Sequence, residues 1–575
     1  MKKIQNILTA TALVPVMLFS SCSNDFLERT PETALDTELV MNDPDLLPST
    51  VVGTMGVLTS AAFNGRDLTV IGDLTTDLVT TAIRSSNGTL RDFDEWNINT
   101  NSTDVAGLYT QGHGAAAYAA RTIEAALRLI QDSASLEDGQ LTNLYNALAT
   151  SYTIKVYAEY IMTQYFCVDV NYEGRIGNNA RRVGLMLLVN KALANTDPAN
   201  MSTLEDTYRF MEYELGQALH YYERSQNTTT LSASDPRFYP SKAAAYLLQA
   251  RVALAQGRSN PAKFSEALTA VENAFSCLGD VGANQELISD QDGLLAAYGT
   301  SPSTEDIWLL NYTSQDNLSA NSLANLFGAY GFNASEYATG LFHTADIRKA
   351  LYYGENAMDE DHDSRCLKYP NDDGVFNVPV FRVPELYLIK AEAAAWNGDL
   401  STAQEALFAV IGARDTSIGS IEDMMSSYRP SDINTNPDVN NGQPVGILNV
   451  IMEERAREFL CEGHRWFDLR RNGLSLTREG DLANQQYSFH FQNYPIYAFA
   501  FPIPFSETNT NQWQNGRGIV SYNSDWTINQ MDNSNRNWQN NAWDQLDGTT
   551  YSATVGLPAN FSDATPHDWN NQNPR

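Results

Sequence analysis

The densest run of ionisable side chains reads EERAREFLCEGHRWFDLRR and spans residues 453–471. Glu454 and Glu458, with His464 nearby, are residue types that general acid and base catalysis uses. The arginines between them oppose that chemistry, because a neighbouring positive charge holds a carboxylate ionised instead of raising its pKa. We therefore assign no catalytic residue here and expect a structural ion network. Opposite charges at helical spacing predict four ion pairs: Glu453 with Arg457, Glu454 with Arg457, Arg455 with Glu458, and Glu462 with Arg465.

A second acidic run, MDEDHDSR, places Asp359, Asp361 and Asp363 at alternate positions, as a calcium-binding loop does. The run lacks the glycine that should follow Asp363, and Pro370 stands where the closing glutamate belongs. We therefore predict a solvated acidic turn. A calcium site completed by other loops is the alternative.

Four cysteines follow the N-terminal segment, and no pair of them has the spacing of a zinc or redox site: Cys167, Cys277, Cys366 and Cys461. Their apolar or helical neighbours predict buried thiols, and we predict no metal ion and no cofactor. The sequence contains no HExxH, GxSxG or papain-like motif. A glycosidase needs only two carboxylates that folding brings together, so a secreted glycoside hydrolase stays an alternative to a chain without enzymatic activity.

The N-terminus has the order of an export signal. Lys2 and Lys3 precede an apolar run at residues 7–19, and Ser20, Ser21 and Cys22 follow. Residues 1–21 therefore predict a signal peptide, and Cys22 resembles the lipidated cysteine of a bacterial lipobox, although Phe19 replaces the usual leucine. An ordinary cleaved signal with an incidental cysteine is the alternative.

The formal net charge of the chain is −32. Residues 1–21 contain two lysines and no acid, so their removal changes the charge to −32 − 2 = −34. Because nucleic acids and anionic lipids are also negative, this charge argues against both as direct partners.

The elements that must position these residues include one repeated unit. YLLQARVALAQG at residues 246–257 and YLIKAEAAAWNG at residues 387–398 share tyrosine, leucine, two alanines and the final glycine in register. A large residue, a small residue four positions later and a glycine that ends the helix with a positive φ predict tetratricopeptide-like helical pairs. The second helices of the two pairs carry small and large residues again, Ala267 with Val271 and Ala403 with Leu407. Pro384 fits a first helical turn.

Further helices are predicted over residues 111–130, 140–166, 203–224 and 446–471. Polar segments between the helices predict loops at residues 84–105, 279–345, 355–380 and 417–445, and these loops are the best places for ligand contact. The fold class is therefore all-α, with tetratricopeptide-like helical pairs that support long irregular loops. Residues 519–575 form an extension rich in Asn and Trp, which is either a polar tail or a packed aromatic cap.

Four stretches, taken together in this order, resemble the SusD/RagB family of outer-membrane nutrient-binding lipoproteins of Bacteroidota. They are DSRCLKY, FRVPELYLIKAEAAAWNGDLSTAQEAL, IMEERAREFLCEGHRWFDLRRNG and FAFPIPFSETNTNQWQNG. The resemblance lies mainly between residues 340 and 518, and ALATSYTIKVYAEYIMTQYF extends it into the first half of the chain. The chain departs from the family at Lys155, where an arginine is common, at FCVDVNYE, where the family carries Gly and Pro, and in its long C-terminal extension.

The resemblance implies that residues 22–518 form a SusD-like substrate-binding domain. It implies a surface-exposed lipoprotein of the cell outer membrane that captures an oligosaccharide, or in some members a peptide. It also implies a partner, a SusC-like TonB-dependent transporter, over which the protein closes like a lid. Neither the exact ligand nor the stoichiometry of that complex follows from the sequence.

Sugar capture requires an aromatic ring that stacks on the C–H face of the sugar, together with amide or carboxylate groups that bind its hydroxyls. Two predicted loops supply both: Trp96 with Asn99 and Asn101, and Tyr330 with Asn333 and Tyr337. The alternative for each aromatic is that it anchors its own loop to the scaffold. Trp308, in the apolar run EDIWLLNY, is predicted to be a core residue.

Overall fold

The computed structural model describes residues 37–81, 88–94, 96, 98–131, 133–171, 183–186, 201–225, 235–352, 366–370, 374–478, 491–494 and 496–506. Several predictions from the sequence lie outside these residues. They concern the signal peptide, Cys22, the acidic turn at Asp359, Asp361 and Asp363, and the extension at residues 519–575.

The described chain is mostly helical, and the predicted all-α class is confirmed. The helices are α1 (Thr37–Asn42), α2 (Ser49–Leu58), α3 (Asp67–Leu74), α4 (Arg91–Asp94), α5 (Thr103–Gln131), α6 (Asp138–Phe166), α7 (Leu204–Arg224), α8 (Lys242–Gln256), α9 (Ala262–Cys277), α10 (Gln291–Ala296), α11 (Leu323–Phe327), α12 (Glu336–Gly340), α13 (Val383–Trp396), α14 (Leu400–Arg414), α15 (Ile421–Ser427), α16 (Ile447–Glu458) and α17 (Arg465–Arg471).

Short two-stranded antiparallel ladders lie between the helices. Their strands are β1 (Val79–Thr81), β2 (Val183–Met186), β3 (Met201–Thr203), β4 (Asp306–Asn311), β5 (Phe332–Ala334), β6 (Asn377–Arg382), β7 (Asp438–Asn440), β8 (Gln443–Val445), β9 (Leu476–Arg478) and β10 (Phe491–Tyr494). The pairs are β1 with β5, β2 with β3, β4 with β6, β7 with β8, and β9 with β10. Several of these strands lie in segments that the sequence predicts as loops, because a three-residue strand is too short to show an alternating pattern.

Consecutive helices pack against each other along the chain, as the repeat pattern predicts. The helices α8 and α9 form one pair and α13 and α14 another, and α9 packs on α13, which joins the two pairs. The small residues Ala250 and Ala391 are fully buried at the predicted close contacts. Pro384 lies in the first turn of α13, where its missing N–H costs no hydrogen bond.

The two glycines of the repeat play different roles. Gly398 has φ +81° and ends α13 as predicted. Gly257 has φ −60°, so the predicted positive angle is wrong for this residue. A Cβ at Gly257 would lie 2.2 Å from the ring of Phe264, so this glycine instead lets the ring of Phe264 approach the end of α8. Phe264 then stacks on Trp396 of the second pair, with 5.9 Å between ring centroids.

The predicted helix at residues 446–471 is divided into α16 and α17. Cys461 and Gly463 interrupt it with φ +64° and +77°. The carboxylate of Asp73 accepts hydrogen bonds from the backbone N–H groups of Gly463 (3.2 Å) and Arg465 (3.3 Å), at the start of α17. A Cβ at Gly463 would lie 2.1 Å from the carbonyl oxygen of Leu68. Contact with α3 therefore interrupts the single helix that the sequence predicts here.

The core confirms two further predictions. Trp308 is fully buried on β4, with its ring 5.4 Å from that of Phe381 on β6. The cysteines of the described chain are all buried free thiols: Cys167, Cys277, Cys366 and Cys461.

Candidate functional site

The carboxylates of α16 belong to a buried ion network. Glu458 accepts hydrogen bonds from Arg348 (3.1 Å), Arg382 (2.8 Å) and Arg414 (3.1 Å). Although burial opposes ionisation, these guanidinium groups hold the pKa of Glu458 well below its usual range. The predicted ion network is confirmed at this position, and a carboxylate surrounded by three guanidinium groups is a poor general acid.

Only one of the four ion pairs predicted from helical spacing forms, between Arg457 Nε and Glu454 Oε2 at 2.8 Å. The other predicted pairs are replaced by contacts with distant segments: Glu453 pairs with Arg429, Arg455 with Asp468, Glu462 with Lys368 and Arg382, and Arg465 with Asp77. The break between α16 and α17 ends the regular helical spacing on which the pairs with later residues were predicted. Tertiary packing then selects the partner.

His464 is unsuited to proton transfer at neutral pH. Its ring stacks on that of Phe459, with 4.3 Å between centroids. Burial and the nearby positive charges of Arg251 and Arg455 lower the pKa of His464 well below its usual range.

The structure places Trp96 in the core. Its side chain has no exposed surface, and its ring lies 5.2 Å from Phe499, 5.4 Å from Tyr494 and 6.3 Å from Trp466. Trp96 has φ +53°, an uncommon angle for a large side chain, which the surrounding packing maintains. The predicted stacking role is corrected, because both ring faces pack against protein; Trp96 instead anchors its loop.

The two asparagines that were predicted to bind a ligand beside Trp96 are accessible. Asn101 is exposed and Asn99 half-buried, and Asn99 Oδ1 accepts a hydrogen bond from the Asn101 backbone N–H at 2.9 Å. Between them, the carbonyl oxygen of Thr100 accepts a hydrogen bond of 2.8 Å from the backbone N–H of Phe505. The side chain of Phe505 is 55% exposed. The residue with an accessible ring that the backbone joins to this loop is therefore Phe505 and not Trp96.

Sequence reasoning missed Phe505 because it stands at the end of the apolar run FAFPIPF, which reads as core. The sequence nevertheless contains a signal that Phe505 is exposed. Phe505 is the last apolar residue before the polar run SETNTN, a position at which a chain reaches the surface.

The second predicted loop has one exposed ring. Tyr337 is 46% exposed, and the guanidinium of Arg465 lies 6.0 Å from its ring centroid and 3.5 Å from its hydroxyl. Tyr330 is half-buried. Asn333 is only 2% exposed on β5, opposite Thr80 of β1, so its predicted contact with a ligand is corrected to a role inside the ladder.

The β1–β5 ladder connects both loops. Ser335 donates hydrogen bonds to Leu78 O (2.8 Å) and Asp77 O (2.6 Å), which fixes the Tyr337 loop to the segment before β1. At the other end of β1, the hydroxyl of Thr81 donates to Asp94 at 2.7 Å, directly before the Trp96 loop. The accessible side chains of these loops, with Phe505, define the candidate ligand face: Asn99, Asn101, Tyr330, Tyr337 and Phe505.

Two arginines beside this face are paired with carboxylates of the protein. Arg465 forms a bidentate pair with Asp77 at 2.9 and 2.8 Å, and Arg478 pairs with Asp94 at 2.5 Å. Such pairs hold a loop in position without presenting a free charge. The face therefore offers aromatic rings and neutral amides, which suit a neutral polyhydroxylated ligand.

Within the described residues, no group of three or more His, Cys, Asp or Glu side chains is arranged to hold a metal ion. None of the described helices has both the length and the apolar character that a bilayer span requires.

Comparison with known proteins identifies the family signature. The SusD family model matches residues 369–543, and this match continues past residue 518, where the domain is predicted to end. No curated protein matches the sequence.

Solved structures share the fold at low sequence identity. A SusD superfamily protein from Bacteroides thetaiotaomicron is 18% identical, with a TM-score of 0.65 over 81% of this chain and 98% of its own. A putative sugar binding protein from Bacteroides vulgatus is 19% identical, with a TM-score of 0.65 over 82% and 97% of the two chains. A SusD-like carbohydrate binding protein from Bacteroides vulgatus is 16% identical, with a TM-score of 0.60 over 82% and 97%.

These matches cover more than four fifths of this chain and nearly all of each similar chain. The resemblance predicted from the sequence is thus confirmed: the chain has the SusD-like fold and carries the sequence signature of the SusD/RagB family in residues 369–543.

Proposed function

We propose that this protein captures an oligosaccharide on the candidate ligand face and has no catalytic activity of its own. The observation that carries the proposal is the exposed ring of Phe505, whose backbone N–H donates to the carbonyl oxygen of Thr100, the residue between Asn99 and Asn101. An exposed ring at this position can stack on the C–H surface of a sugar, while neighbouring amides bind its hydroxyls. The names of two similar structures, a putative sugar binding protein and a carbohydrate binding protein, support the same ligand class.

The second ring, Tyr337, extends the proposed face. Arg465 on α17 contacts both the Tyr337 hydroxyl and Asp77, which precedes β1, so the ring requires little ordering when a ligand binds. Binding to a rigid site costs less conformational entropy than binding to a flexible one. Tyr330 contributes a partly accessible ring on the same loop.

The proposed cellular role is delivery. A lipid on Cys22 would anchor the chain to the outer membrane, facing the cell exterior, and a SusC-like TonB-dependent transporter would receive the sugar. The lipobox-like sequence at residues 19–22 and the family signature at residues 369–543 support this role. One lipid chain gives only marginal binding to a membrane, so a stable anchor requires more than one.

A peptide-binding role is the alternative within the same family. The neutral amides and uncharged rings of the face favour a sugar over a charged peptide. A glycoside hydrolase is disfavoured at α16, because three guanidinium groups surround Glu458. Hydrolysis would require one protonated carboxylic acid beside one ionised carboxylate.

The test uses residues 23–575 in native affinity gels cast with a panel of polysaccharides, with released reducing ends measured in parallel. We expect retardation by at least one polysaccharide without new reducing ends. Phe505→Ala should weaken this retardation, in line with a loss of glycan affinity of about tenfold, and Tyr118→Ala should retain it. Tyr118 is the matched control, because it is 51% exposed on α5 and does not belong to the candidate ligand face.

Other outcomes would contradict parts of the proposal. Retardation with sugar release would show an enzyme. Retardation that survives Phe505→Ala and Tyr337→Ala would place the glycan elsewhere on the chain. If no polysaccharide retards the chain, calorimetric titration with peptides decides whether the ligand is a peptide instead.

A further inference from the structure

Two accessible polar side chains lie next to the Tyr337 end of the candidate ligand face. They are His343, which follows α12, and Arg429, which follows α15, and their side chains are 38% and 51% exposed. The ring of Tyr428, the residue before Arg429, stacks on that of His343 with 4.1 Å between centroids. This stack joins two segments that are distant in the sequence.

Arg429 lies close to Tyr337 as well. Partial burial raises the pKa of Tyr337, and the negative charge of Glu453 contributes to this rise. The hydrogen bond with Glu453 raises the pKa of Arg429, and Tyr337 contributes in turn. Arg457 of α16 donates to the carbonyl oxygen of Leu341 at 3.1 Å, so the Tyr337 loop packs against the helix that carries Glu453. Tyr337, Arg429 and Glu453 are therefore within electrostatic reach of one another.

A buried carboxylate fixes the ring of His343. Asp415 Oδ2 lies 3.1 Å from His343 Nδ1 and accepts from the hydroxyl of Tyr428 at 2.8 Å, while Ser417 donates to the other oxygen at 2.5 and 3.0 Å. Although burial opposes ionisation, these hydrogen bonds lower the pKa of Asp415. An ionised carboxylate can only accept, so Nδ1 carries the proton and Nε2 of the neutral ring is an acceptor. This Nε2 makes no hydrogen bond to any residue that the structure describes.

Arg429 keeps one edge of its guanidinium unused. Its Nε donates to Glu453 Oε1 at 2.7 Å, and its Nη2 donates to the same oxygen. Both N–H groups of Nη1 and the second N–H of Nη2 have no partner in the described part of the chain. This edge presents parallel donors that match two neighbouring oxygen atoms. Because Glu453 balances the charge, the edge suits the oxygens of a neutral ligand.

The backbone holds Arg429 in an unusual conformation. Its φ is +42°, which is uncommon for a residue with a long side chain and is further restricted by the following Pro430. The carbonyl oxygen of Arg429 accepts from the backbone N–H groups of Asp432 (2.9 Å) and Ile433 (3.3 Å), which maintain this turn. The exposed side chain contributes no core packing that would require the angle. Strain of this kind is concentrated at functional sites.

We propose that Tyr337, His343 and Arg429 form a diol subsite, which holds one sugar unit of the ligand by two adjacent hydroxyl groups. This inference rests on the proposed function. The free edge of Arg429 donates to both hydroxyl oxygens, Nε2 of His343 accepts from one of the hydroxyl groups, and the ring of Tyr337 packs on the C–H face. Each of the three side chains already has a partner that holds it, so binding requires little ordering.

The first test measures the affinity for the polysaccharide that retards residues 23–575 most strongly in native gels. We expect Arg429→Gln to lower this affinity about tenfold, because hydrogen bonds from a charged donor are lost. His343→Asn keeps a donor for Asp415 in place of Nδ1 but has no counterpart of Nε2, and we expect a similar loss. If His343 served only to satisfy Asp415, His343→Asn would bind as the unmodified chain does. Unchanged affinity in both variants would overturn the diol subsite.

The unfolding temperature of each variant separates lost contacts from lost folding. Arg429 and His343 are accessible, so both variants should unfold within about 2 °C of the unmodified chain. Lys390→Gln is the matched control. It removes one positive charge from the Lys390–Glu272 pair between α13 and α9, which belongs to neither the candidate ligand face nor the diol subsite, so its affinity should be unchanged.

Phe505→Ala distinguishes a failure of the diol subsite from a failure of the proposed function. An affinity that falls in Phe505→Ala but not in Arg429→Gln or His343→Asn would contradict the diol subsite alone. If no polysaccharide retards the unmodified chain, the proposed function fails and the diol subsite fails with it.

A salt titration tests whether the sugar unit is neutral. Affinity should change less than about twofold between about 50 and 500 mM sodium chloride, because hydrogen bonds to neutral hydroxyl groups are not screened by salt. A steep fall would show that Arg429 binds a charged group and would contradict the assignment of a diol.

Crystals provide a direct test that needs no variant. In crystals of residues 23–575 soaked with an oligosaccharide of the same polysaccharide, two adjacent hydroxyl oxygens should lie within hydrogen-bond distance of the Arg429 guanidinium, one of them also near His343 Nε2. A sugar bound elsewhere, with both side chains facing solvent, would overturn the diol subsite.

Discussion

Lys155 Nζ lies 2.7 Å from both carboxylate oxygens of Glu214, and both side chains are fully buried between α6 and α7. Glu159, one turn along α6, accepts a third hydrogen bond from the same ammonium group at 2.8 Å. Two buried carboxylates therefore depend on one cation. The ammonium group of Lys155 also lies 4.5 Å from the ring centroid of Phe210.

Removal of this cation should strongly destabilise the fold. We expect Lys155→Met to lower the free energy of unfolding by about 3–5 kcal/mol, because it leaves buried carboxylates without a counter-ion. Lys155→Arg keeps the charge and places the residue common in the family at this position, so its loss should be clearly smaller. Urea denaturation followed by circular dichroism measures both, and equal losses would show that the size of the side chain matters more than its charge.

Glu458 should matter far more than its neighbour Glu453. Glu458→Gln leaves Arg348, Arg382 and Arg414 with an incomplete set of acceptors, and we expect a loss of about 3–5 kcal/mol in the free energy of unfolding. Glu453 pairs with the exposed Arg429, so Glu453→Gln should cost about 0–1 kcal/mol. Denaturant titration of the two variants under one set of conditions tests this difference. Similar values would contradict the assigned importance of the buried network.

Asp73 should make stability depend on pH. Burial raises its pKa to about 7, although hydrogen bonds from the Gly463 and Arg465 backbones oppose this rise. Because the folded-state pKa exceeds the unfolded value of 3.8, the contribution is present below pH 4 and is lost as the pH rises towards 7. In Asp73→Asn this loss should be absent.

The measurement for Asp73 is the difference in unfolding free energy between the unmodified chain and Asp73→Asn at several pH values from 4 to 8. Taking the difference removes the effects of the other carboxylates. We expect the variant to gain relative stability by up to about 1.4 kcal/mol per pH unit in the titrating range. A difference that is constant with pH would show that Asp73 stays ionised in the folded chain.

Trp96 and Phe505 should respond to substitution in opposite ways. Trp96→Ala removes a fully buried ring and should lower the free energy of unfolding by about 3–5 kcal/mol. Phe505→Ala removes an exposed ring, so we expect a stability change within about 0.5 kcal/mol and a loss of glycan affinity of about tenfold. Thermal unfolding measures the effect on stability, and isothermal titration with the glycan that retards the chain measures the effect on affinity. A Trp96→Ala protein with unchanged stability would contradict the core assignment.

Gly463 should not tolerate a side chain. Its φ is +77°, and a new Cβ would lie only 2.1 Å from Leu68 O, so Gly463→Ala requires a backbone shift that costs about 1–3 kcal/mol. Gly216, inside α7, has open space around it, and Gly216→Ala should stabilise the chain by about 0.5–1 kcal/mol. Opposite shifts in unfolding temperature would confirm this contrast, and a harmless Gly463→Ala would contradict the close approach of α3.

The candidate site was predictable only in part. The loops were identifiable from their polar composition, and Asn101 and Tyr337 are exposed there. Trp96 and Asn333 are buried, because an aromatic or amide side chain in a polar loop can point to either side and local sequence does not decide which. Phe505 comes from a distant segment near the end of the described chain, and its hydrogen bond to Thr100 has no local signal.

The sequence by itself determined the helical class, the two repeated pairs, the buried thiols and the family signature, because each depends on short-range periodicity or on a motif. Tertiary structure decided the partners of Glu453, Arg455, Glu462 and Arg465, the break between α16 and α17, and which rings reach the surface. Helical spacing offers each charge several partners. Burial selects among them, because in a low-dielectric interior only the arrangement that satisfies every charge is stable.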